Sequence, residues 1–344
     1  MSQEESFSQI KSDFIVSCQD KLANKSVVSH KQSIKRFEWF LEYAGLDYTA
    51  INERSDIVIE IPGIETSIGS SNTILDYWTK WMLHEKGYAE STIETTYSYA
   101  RSFFLYLYNE GHVDENITEN FTIGDYINYG STLQNKKWPE NFVAISPEQH
   151  KTMVENVGPP KFRNKLILNL LFETGMRRAE VSALKLHHVD LKKNQITVPA
   201  VKSDKTRPAT ISEKLSTQFK IWRDVRREAY INSQSDYFFI TDDSRSTNGM
   251  SPRTVGDVVS YAAESLDDQD TVKTADGTKR NKYSTHSYRH GFAEQFIQSA
   301  GDSSIYSLKG LLGHKKVSTT ERYLLTEKDE FLRSESDKYA PRID

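Results

Sequence analysis

Residues 146–186 read SPEQHKTMVENVGPPKFRNKLILNLLFETGMRRAEVSALKL, and their punctuation sets the architecture. Ser146, with Pro147 after it and Gln149 three residues on, has the form of a capping box with proline at the first helical position. The apolar run from Lys165 to Phe172 predicts a buried helix that stops at Thr174-Gly175, and an amphipathic helix follows from Arg178 to Leu186. Further along, Gln195–Pro199 and Arg207–Ile211 read as two short strands flanking the polar turn Lys202-Ser203-Asp204-Lys205-Thr206. Helical patterns resume over Glu213–Ile231, Pro252–Leu266, His286–Ala300 and Ser303–Leu312. Upstream, Asn135–Ser146 carries charge and proline without helical period, which marks a linker. Ser26–Leu46 and Ser91–Gly111 each start with serine, keep helical spacing and close at glycine, while Asp56–Ser71 reads as an extended connection. The expected fold is mainly α with a small antiparallel β-sheet, split near residue 140.

The 344 residues suffice for two domains with sizeable cores. A single cysteine, Cys18, excludes a disulfide framework and a cysteine-based zinc site, and it suits a reducing compartment. No apolar run approaches the roughly 20 residues of a membrane helix, and the N-terminus lacks the basic-then-apolar order of a signal peptide. A soluble intracellular protein without a membrane partner is expected. The net charge of −4 conceals segregation. Residues 161–226 carry fifteen Lys/Arg against six Asp/Glu, a local +9, and residues 270–323 carry nine against five, a local +4. Residues 61–120 (three against nine) and 227–269 (three against eight) are acidic. Two separated basic segments form the footprint of a polyanion-binding face.

Four local constellations could carry chemistry. Arg177, at a helix start beside the Gly175 break, can aim a planar, always-charged fork at a phosphate alongside helix N–H groups. Lys202, at the hairpin turn, can reach a ligand and donate a proton. In His286-Ser-Tyr-Arg289-His290 the i, i+3 spacing puts a titratable imidazole and a fixed cation on one helix face. His286, His290 and His314 could also share a metal, but no carboxylate accompanies them and the HExxH pattern is absent, so no metal is expected. The last constellation is LLGHKKVSTTERY, residues 311–323, where His314 follows a glycine helix stop and Tyr323 lies nine residues on.

Taken in order, Arg177, Lys202, His286-x-x-Arg289, Gly313-His314 and Tyr323 resemble the tyrosine recombinase (phage integrase, Xer/Cre-type) family. The matching stretches are TGMRRAE, VKSDKTRPATI, HSYRH and LLGHKKVSTTERY; the resemblance covers about residues 140–325 and extends to 72–125. It implies a helical core-binding domain over 72–134, a linker over 135–145 and a mixed α+β catalytic domain over 146–325. Residues 1–71 are then an N-terminal helical extension, for arm binding or dimerisation or simply as extra helices, and 326–344 a tail expected to pack on a neighbouring subunit.

The resemblance also implies a role for each residue. Arg177 and Arg289 clamp the phosphate oxygens, His314 adds a donor, and Tyr323 attacks phosphorus to form a 3′-phosphotyrosyl link. His286 takes the tyrosine proton and Lys202 protonates the departing 5′ oxygen, with Glu180 and His290 as structural support. It implies no metal, no ATP and no other cofactor. The partners it implies are double-stranded DNA with specific sites, a homotetramer at the Holliday junction formed from free monomers or dimers, and in some systems a directionality factor. The setting it implies is the cytoplasm, at the nucleoid, of a prokaryote or its viruses and plasmids. Two alternatives stay open: a catalytically silent DNA-binding regulator of the same fold, and a type IB topoisomerase or telomere resolvase using a similar residue set.

Overall fold

A computed structural model describes residues 6–48, 74–119, 121–127, 143–201, 205–242, 249–273, 279–301, 304–321 and 323. The chain divides into two compact units, Met1–Asn135 with Lys273–Thr278, and Lys136–Val272 with Lys279–Asp344.

In the first unit, α1 (Phe7–Gln19), α2 (Asn24–Ala44), α3 (Ile74–Lys80) and α4 (Glu90–Asn109) share one aromatic core. Ser6 caps α1 through its side chain, and α2 ends at Gly45, whose φ of 66° is a left-handed conformation that suits glycine. Phe37 packs edge-on against Trp78 and Phe104, tying α2 to α3 and α4. Within the N-terminal extension expected over 1–71, α1 and α2 bury Ile10, Phe14, Ile34 and Phe40 in the same core as Trp81 and Phe103. Helical period alone could not assign these apolar faces to a partner. The expected connection over Asp56–Ser71 lies outside the described residues, as do 128–142 and the tail after Tyr323.

In the second unit, Ser146 makes the expected capping box on α5 (Pro147–Glu155). The central helix, α6 (Lys161–Thr174), buries Leu166, Ile167, Leu168, Leu170 and Leu171 and ends on left-handed Gly175. Around it pack α5, α8 (Glu213–Ile221), α9 (Pro252–Ala263), α10 (Thr285–Ala300) and the strand Arg207–Thr210. A short α7 (Arg178–Ser182) follows the Gly175 break. The sheet has the order β1 (Val189–Asp190), β2 (Gln195–Val198), β3 (Arg207–Thr210), all antiparallel, with Val198 opposite Arg207 across the hairpin. Strand β1 escapes the sequence reading because two residues show no period. The helix expected over Glu213–Ile231 is shorter than predicted. After Ile221 the chain widens and then tightens through Ala229, as the Trp222 indole donates to the Phe238 carbonyl and fixes the turn.

After the two-stranded ribbon of β4 (Thr271–Lys273) and β5 (Lys279–Asn281) come α10, α11 (Ile305–Leu312) and α12 (Ser318–Glu321). At Gly291 of α10 a Cβ would fall 2.4 Å from the Ile145 carbonyl oxygen. The chain entering α5 thus lies directly on α10, and the Ile145 N–H donates to the Ser287 carbonyl. No helix among the described residues is long and apolar enough to cross a membrane.

Candidate functional site

The site is built where α6 ends, α7 begins and α11 ends. A helix leaves its last carbonyls without intrahelical partners, and these carry the negative end of the helix dipole. At the end of α11 two arginines fill that role. Arg289, on α10, donates to the Leu312 carbonyl at 2.5 Å and to the Gly175 carbonyl at 2.9 Å, so one guanidinium bridges the C-termini of α6 and α11. Arg207, on β3, donates through Nε to the Leu311 carbonyl at 2.6 Å. Gly313 then turns left-handed at φ 66°, and the His314 N–H closes back on the Lys309 carbonyl. These contacts position the His314 backbone from three elements.

Glu180 is the hub of the charge network. Its carboxylate accepts from the Arg177 backbone N–H at 2.8 Å, the Arg177 guanidinium at 2.8 Å and the Arg207 guanidinium at 3.0 Å. Its side chain is only 7 % exposed and that of Arg207 10 %. Three arginines and one carboxylate leave a net positive charge in a partly desolvated space. Burial, together with the nearby Arg177 and Arg207, holds the Arg289 guanidinium down to about 9, against partial opposition from Glu180 and Tyr323. Burial likewise lowers Arg207, with Glu180 opposing and Arg177 adding to the shift. An anion entering this space would relieve the repulsion, because each guanidinium keeps N–H groups beyond those given to protein carbonyls.

Tyr323 is 2 % exposed and packs among Ala293, Ile297, Leu308 and Leu312. Its hydroxyl lies 2.6 Å from Nδ1 of His290, and the two rings are 5.7 Å apart between centroids. His314 pairs through Nδ1 with the Thr320 hydroxyl at 2.8 Å, which ties it to the helix preceding Tyr323. His286 is exposed, with its ring centroid 6.4 Å from that of His290.

The structure thus brings Arg177, Glu180 and Arg289 into one electrostatic cluster that also reaches Tyr323, and it places His290 on the tyrosine hydroxyl. His290, expected as support, touches the hydroxyl, and His286 stands one turn before it on the same helix. Lys202 lies outside the described residues. Arg207 was missed by sequence reasoning, although a signal existed. In Arg207-Pro208-Ala209-Thr210-Ile211 the strand period places Arg207 on the same face as buried Ala209 and Ile211, so a charge points inward. Among the described residues no group of three or more His, Cys, Asp or Glu side chains could hold a metal ion.

A sequence profile of the phage integrase family matches residues 144–330. The tyrosine recombinase XerC of Alcanivorax borkumensis is 28% identical over 245 residues, covering 70% of this chain and 71% of its own. The tyrosine recombinase XerA of Pyrococcus furiosus is 29% identical over 193 residues, 56% of this chain and 60% of its own. Among solved structures, the Tn1549 transposon integrase in complex with a circular intermediate DNA has a TM-score of 0.64 at 14% identity, covering 97% of this chain and 99% of that one. XerH site-specific recombinase bound to difH substrate has a TM-score of 0.59 at 19% identity, covering 96% and 85%. These two share the fold. With more than half of its length matched by the family profile, the chain belongs to the phage integrase family and is a tyrosine-type site-specific recombinase.

Proposed function

We propose that this chain cleaves and rejoins DNA at specific sites through a 3′-phosphotyrosyl intermediate, with Tyr323 as nucleophile. The observation that carries the reading is geometric: Arg177 and Arg207 meet on Glu180, Arg289 bridges the helix ends at Gly175 and Leu312, and Tyr323 packs on that same Leu312. A phosphodiester carries one negative charge, and attack at phosphorus builds a second on the non-bridging oxygens. Charge-assisted bonds from Arg177 and Arg289 therefore tighten toward the transition state, which is the condition for lowering the barrier. His314 adds a donor. As the bond from the tyrosine oxygen to phosphorus forms, the bond to the 5′ oxygen breaks, and Lys202 supplies that oxygen's proton. The phosphotyrosyl link conserves the bond energy, so a 5′-hydroxyl from a second duplex can displace the tyrosine without ATP. Two such exchanges in a homotetramer pass through a Holliday junction. An accessory directionality factor would bias the outcome.

The reading is tested with nicked duplexes tiled across the DNA flanking this chain's own gene, in which the short cleaved strand diffuses away. The wild-type protein should accumulate a detergent-stable adduct in the presence of chelator, and Tyr323→Phe should form none. DNA binding by both proteins without an adduct from either would favour the catalytically silent regulator.

A further inference from the structure

Arg207 touches two parts of the cluster at once. Its Nε donates to the Leu311 carbonyl at 2.6 Å, and a terminal nitrogen donates to the Glu180 carboxylate at 3.0 Å. Its stem lies against Gly313, where a Cβ would fall 3.3 Å from Cδ of Arg207. Glu180 in turn holds Arg177 by its backbone N–H and by its guanidinium, each at 2.8 Å. Gly313 makes the left-handed turn that leads into His314. Arg207 therefore stands behind both Arg177 and the His314 turn.

The strand beneath it is well fixed. Arg207 sits opposite Val198 across the hairpin, and the Ile211 N–H closes the far end of β3 on the Asn194 carbonyl. A guanidinium is planar, and its N–H groups diverge in fixed directions. Serving the Leu311 carbonyl and Glu180 together thus sets the separation between them. Exposure gives the order of the two arginines: the Arg177 side chain is 22% exposed and that of Arg207 10%, so Arg177 is the more open to a ligand. We infer that Arg207 is a positioning residue for the phosphate clamp: through Glu180 it aims Arg177, and through Leu311 and Gly313 it holds the His314 turn. The inference rests on the recombinase reading and adds to it a residue outside the set read from the sequence. A staple of the fold alone, such as Arg163 on the Asn164 side chain and the Ile240 carbonyl, would leave the chemistry untouched.

Arg207→Lys keeps the charge and loses the fork. On the nicked duplexes, single-turnover adduct formation per folded molecule should fall about 10²-fold, while affinity for the duplex stays within about 2-fold. A companion duplex carries a methylphosphonate at the cleaved position, which removes the negative charge that Arg177 would neutralise. There the variant should lose less than about 5-fold, because a misaimed cation matters little without a charge to hold. Arg207→Met, which keeps a stem against Gly313 but has no donor, is the second variant and should show the same split between substrates. No loss, or equal losses on the two substrates, would overturn the inference and leave Arg207 a staple. Sulfate-dependent melting of the full-length protein reads the cluster without a reaction. The sulfate concentration giving the half-maximal rise in Tm should be about 5-fold higher or more in Arg207→Lys, and unchanged in Arg163→Lys. An unaltered sulfate response in Arg207→Lys would also overturn the inference. An absent wild-type adduct would instead count against the recombinase reading, while the sulfate response would still decide whether Arg207 sets the anion site.

Discussion

Two regions of the second unit bury arginine, and they do so in opposite ways. Around residues 227–240, Arg227 donates to the carbonyls of Ser233, Ser235 and Tyr237, and Arg163 donates to the Asn164 side chain and the Ile240 carbonyl. Those guanidinium groups donate to neutral acceptors of the surrounding chain, so they staple a loop. Around residues 175–180 and 311–314, three arginines converge on one carboxylate and on helix-end carbonyls, and they repel one another. Burying like charges together costs stability that a loop staple does not cost. The contrast separates a region arranged for the fold from a region arranged for an anion.

The sharpest way to break this contrast is to change one arginine in each region. Arg289→Lys should lower single-turnover cleavage about 10³-fold, because a point charge cannot bridge two helix ends and still present a fork to phosphate. Arg163→Lys should lower the melting temperature while leaving cleavage per folded molecule unchanged. Equal kinetic losses in both variants would erase the distinction.

Glu180→Gln comes next in size. It removes the carboxylate that two partly buried guanidinium groups share, and should cost about 3 kcal/mol of stability by denaturant titration. Sulfate, by occupying the cluster, should restore part of that loss in Glu180→Gln and none in Arg163→Lys. A variant as stable as wild type would mean that Glu180 is not the hub described.

The smallest effect concerns a group that serves only the fold. His150 stacks on Phe172 at 4.1 Å between centroids and pairs with the Tyr288 hydroxyl, and burial lowers its value from 6.5 to about 4. The unfolded chain therefore binds a proton between pH 6.5 and 4 that the folded chain refuses, so stability falls as pH falls through that window. Allowing for partial exposure, the loss should be about 2 kcal/mol, measured by urea titration at pH 7 and pH 4.5. His150→Phe should remove that component of the pH dependence, and an unchanged slope would sink the assignment.

The local rules served the sequence reading best. The Ser146 capping box, the glycine stops at 45, 175 and 313, and both strands of the Lys202 hairpin follow from short-range chemistry, and each is written within a few residues. Which faces meet was not legible. The apolar stripes of α1 and α2 fit a separate extension as well as the shared core they join. The spacing of His286 and Arg289 gave them a common helix face, but the approach of Tyr323 from a segment 33 residues beyond His290 decides which imidazole it meets. Arg207 was hidden for a related reason, because a basic residue beside a lysine-rich turn looks solvated until the strand period is followed inward.

The central claim is that the arginine cluster serves chemistry at one tyrosine out of eighteen. Digesting the trapped protein–DNA adduct with protease and nuclease and sequencing the peptides by mass spectrometry tests it most directly. A nucleotide attached through its 3′-phosphate to Tyr323, in the peptide beginning after Lys316 or Arg322, is the expected result. A nucleotide on any other residue, or one attached through a 5′-phosphate, would contradict it.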